Sequence, residues 1–222
     1  MVILDFFGMP GSGKSTISHE LAEKLRKKGN IVEEPTWNLD MKYSKIKRRI
    51  LKSWLSFSYS LRHFREIKNV FSLIGNCSTS KTDKIKMWVN LSYTMNVINR
   101  KSTADIRILD EGIAQAVLSL YMRSNSRTYE ECFQILNRMA DKEVKYIYIN
   151  TDIDKALQRL RSRTNGKSRV DKVTGAKKMK MLMKTYELCE TLRYGAKIID
   201  NNANLSEVDF DNLIQFITVY KK

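Results

Sequence analysis

At 222 residues and a formal net charge of +16, the chain is long enough for one α/β domain with a full core and too short for two of ordinary size. The charge favours anionic partners and says nothing about fold. No apolar run reaches the ~20 residues of a membrane span, two histidines make a histidine-based metal site or triad a poor reading, and the widely spaced Cys77, Cys132 and Cys189, odd in number, read as buried or half-buried thiols in a reducing cytoplasm.

Val2–Phe7 is a mostly apolar run that reads as a strand, so the expectation is that the N-terminus enters the fold directly, with no room for a signal peptide. The next residues, Gly8-Met9-Pro10-Gly11-Ser12-Gly13-Lys14-Ser15, fit G-x-x-x-x-G-K-[ST] without mismatch. Ser15 to Lys28 then reads as a helix with Ile17, Leu21, Ala22 and Leu25 on one face. A glycine-rich turn between a strand and a helix start surrounds a polyphosphate with backbone N–H groups and the positive end of the helix dipole. The amides of Gly11 to Thr16 are expected to hold phosphates, with Lys14 on the β- and γ-phosphates and Ser15 on Mg²⁺.

Asn30–Glu33 is the second predicted strand, followed by Glu34-Pro35-Thr36-Trp37. A carboxylate beside a rigid proline and a flat aromatic suits a hydroxyl-bearing acceptor, and a plain loop with a surface tryptophan is the bland alternative. Residues 41–100 form an insertion before the third strand. Ile46, Ile50, Trp54, Phe57, Leu61, Phe64, Phe71 and Ile74 follow three-and-four spacing, which predicts a long amphipathic helix or a bent pair. A second helix is expected from Thr82 to Arg100. Core packing is the leading reading of these apolar residues. A substrate-binding face, or contact with an anionic membrane surface through residues 42–52, are the sharper ones. Between Met41 and Gly75 stand nine Lys or Arg and one acid, Glu66.

Ile106–Asp110 is the third strand and ends in Asp110 and Glu111, carboxylates suited to organising Mg²⁺ or accepting the proton of an attacking hydroxyl. Thr128-Tyr129-Glu130-Glu131 is a capping box for a helix to Ala140. Val144–Asn150 is the fourth strand, and Thr151 is expected to cap a helix from Asp152 to about Arg163. That helix carries Arg159, Arg161 and Arg163, with Arg159 and Arg163 on one face, and runs into a polar basic loop that holds Lys167 and Arg169. Arginines on a closing loop stabilise a transferring phosphoryl group and exclude water. A helix over Gly175–Tyr194, a fifth strand over Ala196–Asp200 and a helix from Leu205 to about Tyr220 complete the chain. Strands alternating with helices predict a parallel sheet with helices on both faces, and ligands beyond the carboxyl ends of the strands.

With these segments in order, the chain resembles the deoxynucleoside kinase and thymidylate kinase group of P-loop kinases. The resemblance rests on Gly8–Thr16, on Glu34-Pro35…Trp37, on the arginine-bearing Ala156–Arg163 and on Ala196–Asn202. It implies an α/β P-loop NTPase fold, a three-layer α/β/α arrangement with a five-stranded parallel sheet. It also implies one kinase domain over 1–222, with 41–100 on the acceptor side and 159–172 as lid. The implied chemistry is transfer of the γ-phosphoryl of ATP, as its Mg²⁺ complex, to a nucleoside or nucleotide. In that scheme Gly8, Gly11, Ser12, Gly13, Lys14, Ser15, Thr16, Arg159 and Asn201 hold the nucleotide, and Ser15 and Asp110 hold the metal. Glu34, Trp37 and Glu111 receive the acceptor, Glu34, Asp110 or Glu111 serves as base, and Arg159 and Arg163 assist transfer. The third strand departs from the group in ending Asp110-Glu111-Gly112, without a following arginine. A sugar, glycan or lipid-linked acceptor is the alternative. An ATP-switched nucleic-acid-binding protein is a further rival that the charge supports but no recognised binding motif does. Self-association as a homodimer is left open.

Overall fold

The computed structural model describes residues 1–122, 129–162, 173, 175–203 and 205–219. Its centre is a five-stranded parallel sheet of β1 (Val2–Phe7), β2 (Val32–Glu33), β3 (Ile106–Leu109), β4 (Val144–Asn150) and β5 (Lys197–Asp200), ordered β2-β3-β1-β4-β5. Alternation along the strands splits the core into two layers. Val2, Leu4 and Phe6 of β1, Ile106 and Ile108 of β3, and Ile147 and Ile149 of β4 pack on one side. They meet Ile17, Leu21 and Leu25 of α1 (Lys14–Lys27) and Phe210, Leu213 and Ile217 of α10 (Glu207–Val219). Ile3, Phe7, Leu109 and Tyr148 face the other way, into a second core. This is the three-layer α/β/α arrangement that the strand–helix alternation predicts.

The second layer is built largely by the insertion. After α2 (Pro35–Lys42) come α3 (Lys45–Arg62), α4 (Phe64–Gly75) and α5 (Lys81–Asn99), so the long amphipathic segment is a bent pair broken at His63. Tyr59, Ile67, Val70, Leu73, Ile74, Met87, Leu91 and Met95 share one core with Ile3, Phe7 and Leu109. The expectation of core packing for the aromatic stripe is corrected here. Ile46, Ile50, Trp54, Phe57, Leu61, Phe64 and Phe71 are exposed, and of that series Ile74 alone is buried. The helix turns its opposite face inward, with Tyr59 and Ser56 buried and Leu51 and Leu55 half-buried against the core. The Ser56 hydroxyl donates to the Val89 carbonyl of α5 at 2.7 Å.

Two further helices, α6 (Ile113–Tyr121) and α7 (Tyr129–Arg138), precede β4, while α8 (Ile153–Arg161) and α9 (Gly175–Leu192) precede β5. Thr128 of the capping box lies outside the described residues. All three cysteines are buried and unpaired with one another, and no described helix is long and apolar enough to cross a membrane.

A buried cation ties the insertion to the sheet. Arg107 of β3 is fully buried, donates from Nε to Glu33 Oε2 at 2.7 Å, and reaches the carbonyls of Val97, Ile98 and Arg100 where α5 ends. Helix C-termini leave carbonyls without intrahelical partners, and a guanidinium satisfies several at once. Burial pushes the Glu33 carboxyl up, but the hydrogen bond and charge of Arg107, with Arg100 behind it, hold it below the usual carboxylate range. Arg107→Met is therefore expected to destabilise the fold by about 3 kcal/mol, since it leaves the α5 carbonyls without their donor and Glu33 with Arg100 alone. Urea denaturation checks this; an unchanged midpoint would remove the anchoring role.

Candidate active site at the carboxyl edge of the sheet

Because every strand is parallel, the residues just past the strand ends meet on one edge: Gly8, Glu34, Asp110, Thr151 and Asn201. Strands β2 and β3 lie to one side of β1 and β4 and β5 to the other, so the Gly8 loop emerges where the chain order reverses.

The loop is clamped from below. Asn201 is buried; its Nδ2 donates to the Ser12 carbonyl at 2.7 Å and its backbone N–H to the Asn150 carbonyl at 2.8 Å. Arg159 Nη2 donates to the Asn201 carbonyl at 3.0 Å, and Nη1 lies 3.4 Å from the Ser12 carbonyl. Thr151 does not cap α8 as its sequence position suggests. Its hydroxyl points at the Ser12 and Asn150 carbonyls, at 3.2 and 2.8 Å, and α8 starts at Ile153 after Asp152. A Cβ on Gly11 would stand 2.5 Å from the Ala156 carbonyl, so α8 seats the loop directly.

Gly13 precedes α1 with φ 91°, a left-handed backbone that glycine takes without penalty, and a Cβ there would meet Asn201 Nδ2 at 2.5 Å. The first turn of α1 holds no acid of its own while its last turn holds Lys24, Arg26 and Lys27, so the positive end of the dipole is left for an anion at the loop. The Ser12 and Thr16 amides bond inside the loop, to the Met9 and Gly13 carbonyls at 3.1 Å each. Lys14 Nζ lies on the Gly8 and Met9 carbonyls at 2.8 and 3.2 Å. Ser15 and Thr16 are open to solvent, and the Ser15 hydroxyl donates to Asp110 Oδ2 at 2.9 Å. Two hard oxygen donors side by side at the mouth of an amide-lined loop fit Mg²⁺ with a polyphosphate.

The turn that carries the acids is held by a residue the sequence did not single out. Asp5 is buried in the middle of β1, accepts the Ala114 N–H at 3.0 Å, and lies against the amides of Ile113 and Gly112 at the start of α6. Gly112 has no room for a Cβ, because the Asp5 carboxylate occupies that space. Asp5 thus fixes Asp110-Glu111-Gly112 from beneath. Burial pushes the Asp5 carboxyl from 3.8 up to about 7, against the pull of those amides and with a further push from Asp110. A raised carboxyl stabilises the fold fully below the unfolded value, and that contribution is lost as pH rises through about 7. Raising pH from about 5.5 to about 8.5 should therefore move stability in favour of Asp5→Asn over wild type by about 2 kcal/mol. Urea midpoints at the two pH values check it, and an equal gap at both would refute the buried-acid assignment.

Glu111 is exposed at the mouth of the cleft but walled by protein. Desolvation raises its carboxyl, as do Asp110 and Asp40, against Lys52 and Lys14. Lys52 of α3 lies 4.9 Å from the centre of the Tyr93 ring of α5, so the insertion supplies that wall. Lys52, which the sequence groups with the surface cations of residues 42–52, is half-buried here, and Tyr93 carries no sequence signal of its own.

Glu34 and Trp37 are placed differently from a free acceptor pocket. Glu34 is buried and precedes α2, with Pro35 at its first position. Its Oε1 lies 3.1 Å from His19 Nδ1 and its Oε2 2.8 Å from Arg26 Nη2. Trp37 stacks on His19, with ring centres 3.9 Å apart. His19, Glu23 and Glu34 come within metal-binding reach of one another, but Arg26 pairs with both carboxylates, at 2.6 and 2.8 Å. The group is a charge cluster that fastens α1 to the end of β2. Arg163 and the rest of the expected lid, 163–172, lie outside the described residues.

No protein-family model matches the sequence, and a search of curated proteins finds no match. Solved structures do match. A shikimate kinase from Acinetobacter baumannii in complex with shikimate superposes with a TM-score of 0.50 at 14% identity, covering 100% of this chain and 95% of that one. A shikimate kinase from Bacteroides thetaiotaomicron gives 0.50 at 13%, covering 99% and 97%. A deoxyadenosine kinase from M. mycoides with bound dATP gives 0.50 at 17%, covering 98% and 100%. Across nearly the whole length, this chain has the fold of those P-loop kinases.

Proposed function

We propose that this protein is an ATP-dependent phosphotransferase that moves the γ-phosphoryl group of ATP to a small-molecule acceptor. The observation that carries the reading is the Ser15–Asp110 contact of 2.9 Å at the open end of the Gly8–Ser15 loop. It joins the phosphate cradle to a strand-end acid, which is what metal-assisted phosphoryl transfer needs. Mg²⁺, held by Ser15 and Asp110, would neutralise charge on the phosphates. Lys14 leaves its own loop's carbonyls for the β- and γ-oxygens. Arg159, seated against Ser12 and Asn201, adds positive charge beside the loop.

For the base, the surroundings favour Glu111 over Glu34. Both oxygens of Glu34 are engaged by His19 and Arg26, whereas Glu111 is open to solvent with its carboxyl raised. A raised carboxylate is a stronger proton acceptor near neutral pH. The acceptor hydroxyl loses its proton to Glu111 as its oxygen bonds to the γ-phosphorus, and the bond to ADP breaks on the opposite side.

The acceptor we propose is a nucleoside or nucleotide, on the resemblance of Gly8–Thr16, Ala156–Arg163 and Ala196–Asn202 to that group of kinases. A sugar, glycan or lipid-linked acceptor is the second reading, favoured by the exposed apolar face of α3. Incubation with ATP-Mg²⁺ and a panel of nucleosides, nucleoside monophosphates and sugars, read by mass shift, tests the choice. A phosphorylated nucleoside or nucleotide supports the first reading, and turnover confined to sugars replaces it with the second.

A further inference from the structure

The outer face of α3 is a continuous apolar stripe. Ile46, Ile50, Trp54, Phe57 and Leu61 follow one side of an 18-residue helix about 27 Å long, Phe64 continues it onto α4, and all six are between 49% and 71% exposed. Scattered exposed apolar residues are ordinary, but a contiguous patch of this kind marks an interaction surface. Its flanks are cationic: at 100° per residue, exposed Lys47 lies to one side of the stripe and exposed Arg49 to the other. Lys45, Arg62, Arg65 and Lys68 are exposed on the same two helices.

We propose that this face docks on an anionic lipid surface, with the stripe entering the headgroup–acyl boundary and the lysines and arginines meeting the headgroups. The arrangement matches an interfacial amphipathic helix. Charge decides among occupants. From Met41 to Gly75 the chain has nine cations and one acid, so a two-fold contact with a second copy would oppose like charges across the seam. A nucleic acid would use the cations and leave the stripe in water. An anionic bilayer uses both. The proposal stands without the kinase reading.

The full chain is tested by co-sedimentation with phosphatidylcholine vesicles containing about 30% phosphatidylserine and with phosphatidylcholine alone. Partitioning on the anionic vesicles is expected to exceed that on neutral ones by about tenfold or more and to fall as salt rises from about 0.05 to about 0.5 M. The triple variant Ile50→Ser, Trp54→Ser, Phe57→Ser should abolish it, and Lys47→Glu with Arg49→Glu should weaken it at low salt. Melting curves confirm that both remain folded, and the charge pair tests the face by itself if the triple does not. Equal binding to both vesicle types, or none, overturns the proposal. So does a dimer in sedimentation velocity that the triple variant dissolves, which assigns the face to a second copy. Binding of an oligonucleotide that Lys47→Glu with Arg49→Glu removes, without vesicle binding, assigns it to nucleic acid.

Discussion

Lys14→Ala is expected to cut phosphoryl transfer from ATP by about a hundredfold or more while the melting temperature stays within about 3 °C of wild type. The two halves of that expectation come from different observations. The Lys14 ammonium rests on the Gly8 and Met9 carbonyls of its own loop, contacts that water can replace. The loop's shape comes from elsewhere: from Asn201, Thr151 and Arg159 on the Ser12 carbonyl and from α8 against Gly11. Removing the ammonium should leave the cradle standing and take away charge that phosphates need most as transfer proceeds. Steady-state rates beside a thermal melt check both parts. Near-normal turnover, or a collapsed melt, would break the argument at a different step in each case.

Asp110→Asn is expected to lower kcat by on the order of a thousandfold and to move the Mg²⁺ requirement to higher concentration. Asp110 touches Ser15 and stands on a turn that Asp5 fixes from below, so its position is set before any ligand arrives. Glu111→Gln separates the neighbouring roles. It should depress kcat with the Mg²⁺ dependence unchanged, because the Ser15 hydroxyl meets Asp110, while Glu111 feels Lys52 of the insertion. Mg²⁺ titrations of the two variants side by side make the comparison. Identical shifts in both would mean that the pair acts as one metal site.

The strands were legible because a buried parallel strand is a short apolar run, and Val2–Phe7 and Val144–Asn150 are observed at the predicted limits. Helix α1 was legible because a phosphate-loop motif demands a helix start and the Ile17–Leu25 face supports it. Helix α6 was missed because Ile113–Tyr121 is a nine-residue run with Gln115 and Ser119 as its polar residues, too short and too apolar for periodicity to tell a helix from a buried strand. Helix α2 was missed because Pro35, read as part of a loop, is also a favoured first helical residue. On α3, periodicity revealed two unlike faces but not which one meets the core; Leu51, Leu55 and Tyr59 took that place over the larger stripe.

Within the site, Ser15 beside Asp110 followed from strand-end placement in a parallel sheet, whereas Arg159 of α8 bearing on Asn201 and Ser12 is a finding of the structure. The ties on Glu34 did not, since no local pattern says that His19 and Arg26 of α1 converge on the end of β2. Asp5 was equally silent: one acid in an apolar strand looks like an exception until Gly112 is seen against it.

The most direct test follows the γ-phosphoryl group itself. A single turnover with γ-labelled ATP, Mg²⁺ and a mixture of small nucleoside, nucleotide and sugar acceptors should place the label on an organic acceptor, faster than it appears as inorganic phosphate. Lys14→Ala should slow that transfer by about a hundredfold or more. Label released only to water, or released faster when nucleic acid is added with no acceptor labelled, would contradict the account.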